Sequence, residues 1–193
     1  RGDVDVTPLG AERCVGDGTR SGFAYLGGVV RNKRVPLLIR AAQLADVPLH
    51  LALIYYSAET ATDLQEVFRL VGPKVTIARV GLHTRKILLS SVLGAVTLSQ
   101  ADSQWLPGTE ARACGGIAIA ADIPSIRAAN GDGILYVKDV DEMASTMKRL
   151  SHDAEAYETE RIRQQQLYLQ SGRDSNAVGE RLANWVLKMG AQP

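Results

Sequence analysis

The chain has 193 residues, 46% of them hydrophobic and 22% charged, which predicts one globular domain with a single core and a helical tail. Its formal net charge of +1 gives no electrostatic argument for nucleic acid as a partner. Since no apolar run is long enough to cross a bilayer, we expect no transmembrane segment.

The first half of the chain alternates short apolar segments with amphipathic ones. Residues 1–22 are rich in glycine, aspartate and threonine, and the chain opens without methionine, so we expect an entry segment from a missing N-terminal domain. After it, the apolar runs predict strands at Phe23–Leu26, His50–Tyr55 and Val75–Ala78. Helical spacing predicts helices at Val35–Asp46, Thr62–Leu70 and Thr84–Val92, with Thr84 as an N-cap.

The second half continues this alternation before it becomes helical throughout. We expect strands at Ala95–Leu98, Ile117–Ala120 and Gly133–Val137, and a short helix that follows Pro107 and ends at Gly115-Gly116. Asp139 is predicted to cap a helix that reaches Leu150, a charged stretch covers residues 153–169, and a last helix covers Ser175–Met189. The pattern predicts a Rossmann-like, doubly wound α/β domain over residues 23–150, with a parallel sheet of about six strands, and a helical tail over residues 151–193.

One loop of this domain has the position of a ligand site. It joins the strand Ala95–Leu98 to the helix after Pro107. In open parallel sheets such loops gather at the carboxyl edge, where the helix dipole and unpaired N–H groups favour phosphate. We therefore expect a phosphate-bearing ligand between the turn at Gly27-Gly28 and the loop Ser99–Gly108.

The two cysteines, Cys14 and Cys114, lie far apart in the sequence and lack the spacing of metal ligands. Two thiols are too few for a disulfide framework, so we expect a reducing compartment. The protein would then lie in the cytoplasm, either free or peripheral at the inner face of a membrane. We expect Cys114 to pack as a buried thiol beneath a helix.

Six segments occur in the order, and at nearly the intervals, of one known family. The segment Tyr25–Lys33 resembles Y-V-G-R-L-V-P-x-K, and Glu110–Gly115 matches E-A-M-A-C-G at all but one position. The others resemble V-I-P-N/L-G-V-D, V-x-F-x-G, I-P-E-I and G-x-L-V, at residues 6–12, 75–81, 123–126 and 132–137. Together they resemble the C-terminal, donor-binding half of family 4 retaining glycosyltransferases, which have the two-domain GT-B architecture.

The resemblance implies a nucleoside diphosphate sugar as donor and assigns roles to individual residues. Glu110 matches the glutamate that binds the ribose hydroxyls, Asp102 falls on the first glutamate of the family's signature, and Lys33 matches the lysine that neutralises the leaving diphosphate. Lys33 and Asp102 would thus be the catalytic residues. The substrate-binding residues implied in the same way are Glu110, Gly27, Gly28, Gly81, Leu82, Ser103, Gln104, Trp105 and Leu106. No cofactor and no metal ion are expected.

The sequence also departs from the family's pattern at the site. Gly28 stands where the family has a second phosphate-neutralising cation, an arginine. Ser103 and Trp105 replace the glycines that let the loop approach a phosphate closely, and Asp102 is shorter than glutamate. In such a loop Trp105 either stacks on the nucleotide base or caps the core.

Three functions remain open on this evidence. The leading one is the donor-binding domain of a retaining glycosyltransferase, inactive alone and completed by an N-terminal acceptor domain. The second is a degenerate module of the same fold kept for protein interaction or scaffolding, and the third is a sugar-nucleotide epimerase. The apolar stripe of Ser175–Met189 would contact the missing domain or form a homodimer.

Overall fold

The computed structural model describes residues 19–53 and 61–172. The predictions for the entry segment up to residue 18, for the end of the strand His50–Tyr55 and for the helix Ser175–Met189 concern residues outside those ranges. No helix within the described ranges is long and apolar enough to span a membrane.

The described residues form a six-stranded sheet in which every neighbouring pair of strands is parallel. Its strands are β1 (Phe23–Gly27), β2 (Leu49–Leu53), β3 (Val75–Arg79), β4 (Gly94–Thr97), β5 (Ile117–Ala121) and β6 (Leu135–Val137). Their order across the sheet is β3-β2-β1-β4-β5-β6. This is a Rossmann-like α/β domain, as the alternating sequence pattern predicts.

Helices cover both faces of the sheet. They are α1 (Val35–Ala45), α2 (Ala61–Leu70), α3 (Leu82–Ser91), α4 (Leu106–Ala113), α5 (Pro124–Asn130), α6 (Val140–His152) and α7 (Ala154–Gln170), and a 3₁₀ turn at Arg31–Lys33 precedes α1. Successive side chains of β1 point to opposite faces of the sheet and pack under different helices. Phe23 packs into the core shared with α1 and α6, and Ala24 packs into the core shared with α3 and α4. Because both faces are covered, the central strands are almost continuously apolar.

Two local predictions, for the N-cap of α3 and for Cys114, are wrong. Thr84 does not cap α3, which begins earlier, at Leu82; Gly81 is the N-cap, and its N–H donates to the Thr84 hydroxyl over 2.9 Å. Cys114 is buried as expected, but it is disulfide-bonded rather than a free thiol. A reducing compartment therefore no longer follows from the cysteines. The predicted cap of α6 is confirmed, since the Asp139 carboxylate accepts the Glu142 N–H over 2.9 Å.

The charged stretch after residue 152 is helix α7, which packs beside β5 and α4. Its side chain Gln164 is fully buried and bonds both backbone groups of Ala118, accepting from the N–H over 2.8 Å and donating to the carbonyl over 3.1 Å. The pairing of β5 with β6 begins only at Ile119. The amide of Gln164 therefore takes the place of a strand neighbour and fixes α7 against the sheet.

Candidate ligand-binding cleft

The candidate site lies where the strand order reverses. From β1 the chain winds outward through β2 to β3, and it then returns to place β4 on the other side of β1. The loops that follow β1 and β4 consequently diverge to opposite faces and leave a crevice at the carboxyl edge of the sheet. Ligands of open α/β sheets bind in this crevice.

Polar contacts join the two loops. The N–H of Gln100 donates to the carbonyl of Asn32 over 2.8 Å, and the buried hydroxyl of Ser99 orders the second loop by donating to the carbonyl of Ala101 over 2.7 Å. The ammonium of Lys33 lies 2.7 Å from Oδ2 of Asp102. The segment after β1 is thus held against the segment after β4.

A cleft of ≈ 460 Å³ opens between these loops. Most of the residues that the sequence assigned to the site line it. They are Gly27, Gly28, Lys33, Asp102, Ser103, Trp105 and Leu106. Arg85, which the sequence did not assign to it, lines the same cleft.

The floor of the cleft at the end of β1 is organised by Tyr25. Its hydroxyl donates to the carbonyl of Gly28 over 2.7 Å, and a Cβ at Gly27 would lie 2.7 Å from that hydroxyl. A larger residue at position 27 would therefore displace the Tyr25 hydroxyl from its place beneath the turn. A Cβ at Gly28, by contrast, would meet no atom within 4 Å. Burial raises the pKa of Tyr25, and the Asp102 carboxylate raises it further, so Tyr25 remains a neutral donor.

Asp102 makes two contacts with its carboxylate. Oδ2 pairs with Lys33, and Oδ1 accepts the N–H of Ser103 over 3.0 Å. The side chains of Lys33 and Asp102 are 24% and 16% exposed, so the pair is screened less than one at the surface. Asp102 therefore orders the loop and pairs with the lysine at the cleft wall.

Trp105 precedes α4 in the left-handed conformation, with φ 47°, and is 4% exposed. Its ring lies against Gly108, where a Cβ would come within 2.4 Å of ring carbons. The indole therefore packs into the core and lines the cleft, which favours the core-capping interpretation over base stacking. Few backbone N–H groups at the start of α4 are available to a ligand, since Pro107 has no N–H and that of Gly108 donates to the carbonyl of Trp105.

Glu110 lies in α4 and forms an ion pair with Arg85 of α3, in which the Arg85 guanidinium donates to Oε2 of Glu110. The side chain of Arg85 is 17% exposed and that of Glu110 is 27% exposed. Sequence reasoning missed Arg85 because the pair joins residues 25 positions apart on two helices. The available signal was an arginine in the first turn of a helix that follows a strand at the carboxyl edge of the sheet.

The remaining predicted site residues, Glu110 among them, are not among the residues that line the cleft. Gly81 caps α3, and Leu82 is the first residue of that helix. Gln104 is half-buried in the loop and is not among the residues that line the cleft. Within residues 19–53 and 61–172, no three histidine, cysteine or carboxylate side chains converge into a group that could hold a metal ion.

A larger cavity, of ≈ 600 Å³, lies at the opposite edge of the sheet, beside Leu93 and Gly115, which precede β4 and β5. Two arginines line it: Arg20 donates to the backbone carbonyls of Leu89 and Val92 over 2.9 and 2.8 Å, and also to that of Cys114, and Arg161 pairs with Glu158. These contacts give Arg20 a structural role between the strands and helices. The crevice at the carboxyl edge is therefore the better candidate for a ligand site.

No protein-family model matches the sequence, and comparison with curated proteins gives no match. Comparison with solved structures does give matches. Sucrose-phosphate synthase from Thermosynechococcus elongatus superimposes with a TM-score of 0.78 at 19% identity, over 96% of this chain and 52% of that one. HepE from Anabaena in complex with UDP has a TM-score of 0.71 at 17% identity, over 88% of this chain and 49% of that one. A TarM variant from S. aureus in complex with fondaparinux, α-GlcNAc-glycerol and UDP has a TM-score of 0.72 at 15% identity, over 92% of this chain and 38% of that one.

These similarities show the fold. The chain has the Rossmann-like architecture of GT-B glycosyltransferase domains, with its six parallel strands and flanking helices. It spans between 38% and 52% of the length of the three chains.

Proposed function

We propose that the chain is the donor-binding domain of a glycosyltransferase and that its cleft binds a nucleoside diphosphate sugar. The observation that carries this proposal is the cleft at the point where the strand order reverses, since it collects Lys33, Asp102 and the Gly27-Gly28 turn from separate loops. Two of the similar structures hold UDP, which supports the choice of ligand.

In the proposed mechanism the residues of this chain hold the donor and neutralise the leaving group. Lys33 stabilises the negative charge that develops on the diphosphate as the sugar departs. Glu110 accepts hydrogen bonds from the ribose hydroxyls at a carboxylate oxygen. Asp102 releases Lys33 on donor binding, because the diphosphate competes with the carboxylate for the ammonium.

The transfer itself would need a second domain. A partner domain, preceding this one in the same protein, would supply the acceptor site, and transfer with retention of the anomeric configuration follows the family resemblance. By itself the chain would bind donor weakly and transfer no sugar.

Isothermal titration of the 193-residue chain with UDP, GDP and ADP sugars tests the proposal. We expect saturable binding of at least one of them and its loss in Glu110→Ala. Glu158→Ala is a matched control, since Glu158 also pairs with an arginine but lies on α7, away from the cleft. Absence of binding by all three classes would refute the proposal.

A second candidate, a degenerate module that acts in protein interaction, is favoured by specific features of the cleft. The indole of Trp105 fills the place where the family's loop has glycine, and Gly28 carries no cation. Both observations reduce the room and the charge available to a diphosphate. Transfer activity in the full-length protein, lost in Lys33→Ala, would exclude this candidate.

A further inference from the structure

One of the two cations on the wall of the cleft is not identified by the sequence motifs. Two cations line it: Lys33, from the loop after β1, and Arg85, from the first turn of α3. Position 28, where the family has an arginine, is glycine. The N-terminus of α4 offers few amides, because Pro107 has none and that of Gly108 is bonded to Trp105. A dianionic group in this cleft would therefore depend on side chains for its contacts.

The position of Arg85 is fixed by the helix that faces it. Helices α3 and α4 pack on the same face of the sheet, and the Glu110 carboxylate of α4 holds the guanidinium at the cleft wall. The planar guanidinium carries more N–H donors than one carboxylate oxygen can accept, so a paired arginine still donates to a second anion. Lys33, a point charge on a flexible stem, supplies no such directional contact.

We propose that Arg85 is a phosphate-binding residue of this cleft and replaces the cation that position 28 lacks. The proposal rests on the proposed function and names the residue that contacts the diphosphate of the donor. Since Glu110 accepts from Arg85 at one oxygen and has a second oxygen for a ribose hydroxyl, the pair also links the phosphate-binding and ribose-binding parts of the site.

The test compares UDP with uridine, which lacks the phosphates, by isothermal titration of the whole chain. The ratio of the two affinities isolates the phosphate contacts from those to the nucleoside. In Arg85→Gln we expect this ratio to fall by about tenfold or more, the effect of losing a charge-assisted hydrogen bond. Arg85→Lys should recover part of it, because it keeps the charge and loses the planar fork.

Two further variants make the result specific. Arg161→Gln removes an arginine that is also ion-paired, with Glu158 on α7, and should leave the ratio unchanged. The double variant Arg85→Gln/Glu110→Gln leaves no carboxylate unpaired, so it carries the test if Arg85→Gln alone unfolds. An unchanged ratio in the Arg85 variants would overturn this assignment and leave the proposed function standing. Failure of the unsubstituted chain to bind UDP would overturn both.

Discussion

Restoring the missing cation at position 28 is the perturbation with the most definite expected outcome. In Gly28→Arg the new Cβ meets no obstacle, because it would have no atom within 4 Å. Gly28 lines the cleft, and the Tyr25 hydroxyl holds its carbonyl, so the substitution places an arginine at the cleft without moving the turn. We expect tighter binding of a nucleoside diphosphate and little change in stability.

The magnitude follows from the chemistry of the contact. A hydrogen bond between a guanidinium and a phosphate contributes about 1.5–3 kcal/mol, which corresponds to a tenfold to hundredfold change in Kd. Because Gly28 is only partly buried, water screens the contact, and we expect about tenfold, at the lower end. Titration with UDP, GDP and ADP measures it, and Gly28→Gln controls for side-chain length without charge. Unchanged or weaker binding in Gly28→Arg would show that position 28 does not face the phosphates.

Three other outcomes concern stability and titration. Gly108→Ala should lower the free energy of unfolding by about 1–3 kcal/mol, since a Cβ there collides with the ring of Trp105. The control Gly28→Ala should change it by less than about 0.5 kcal/mol. Urea denaturation measures both, and equal effects would contradict the packing of Trp105 on Gly108. Burial lowers the pKa of His50 below its usual 6.5, so the unfolded state binds a proton more readily than the folded state. The free energy of unfolding should therefore fall as the pH drops from 6.5 towards the lowered pKa of the folded state. His50→Gln should make the free energy of unfolding depend less on pH in this range. The same pH dependence in the variant and the unsubstituted chain would contradict the role given to His50. Tyr25→Phe should cost about 1 kcal/mol through the lost bond to Gly28, and the Tyr25 phenol should stay protonated well above pH 10, as its absorbance at alkaline pH would show.

The sheet could be predicted from the sequence because its signals are local. Strands such as Ile117–Ala121 are continuous apolar runs, and the segments between them carry helical spacing, which together predict a doubly wound sheet. The edge of the sheet that holds the cleft follows from the same pattern, since the loops after parallel strands meet at their carboxyl ends. Helix α5 was not predicted, because it has only seven residues and a single buried side chain, Ile126.

The details of the site depend on contacts between distant residues, and these could not be predicted. Arg85 reaches the cleft only because α3 and α4 pack together, and nothing near it in sequence indicates Glu110 as its partner. The left-handed conformation of Trp105 is unusual for an aromatic residue and follows from the packing of its ring on Gly108. Sequence motifs identified Lys33 and Asp102 separately, whereas their pairing is a property of the folded loops.

The central claim, that the cleft at the carboxyl edge of the sheet is the nucleotide site, is tested most directly by mapping the site of binding. Titration of the isotope-labelled chain with UDP, followed by amide chemical shifts, distinguishes the cleft from the larger cavity that Arg20 lines. We expect the largest shifts at Gly27, Gly28 and Ser103, with those near Arg20 and Tyr157 unchanged. Shifts concentrated around Arg20 and Tyr157, with the Gly27-Gly28 turn unaffected, would contradict the claim.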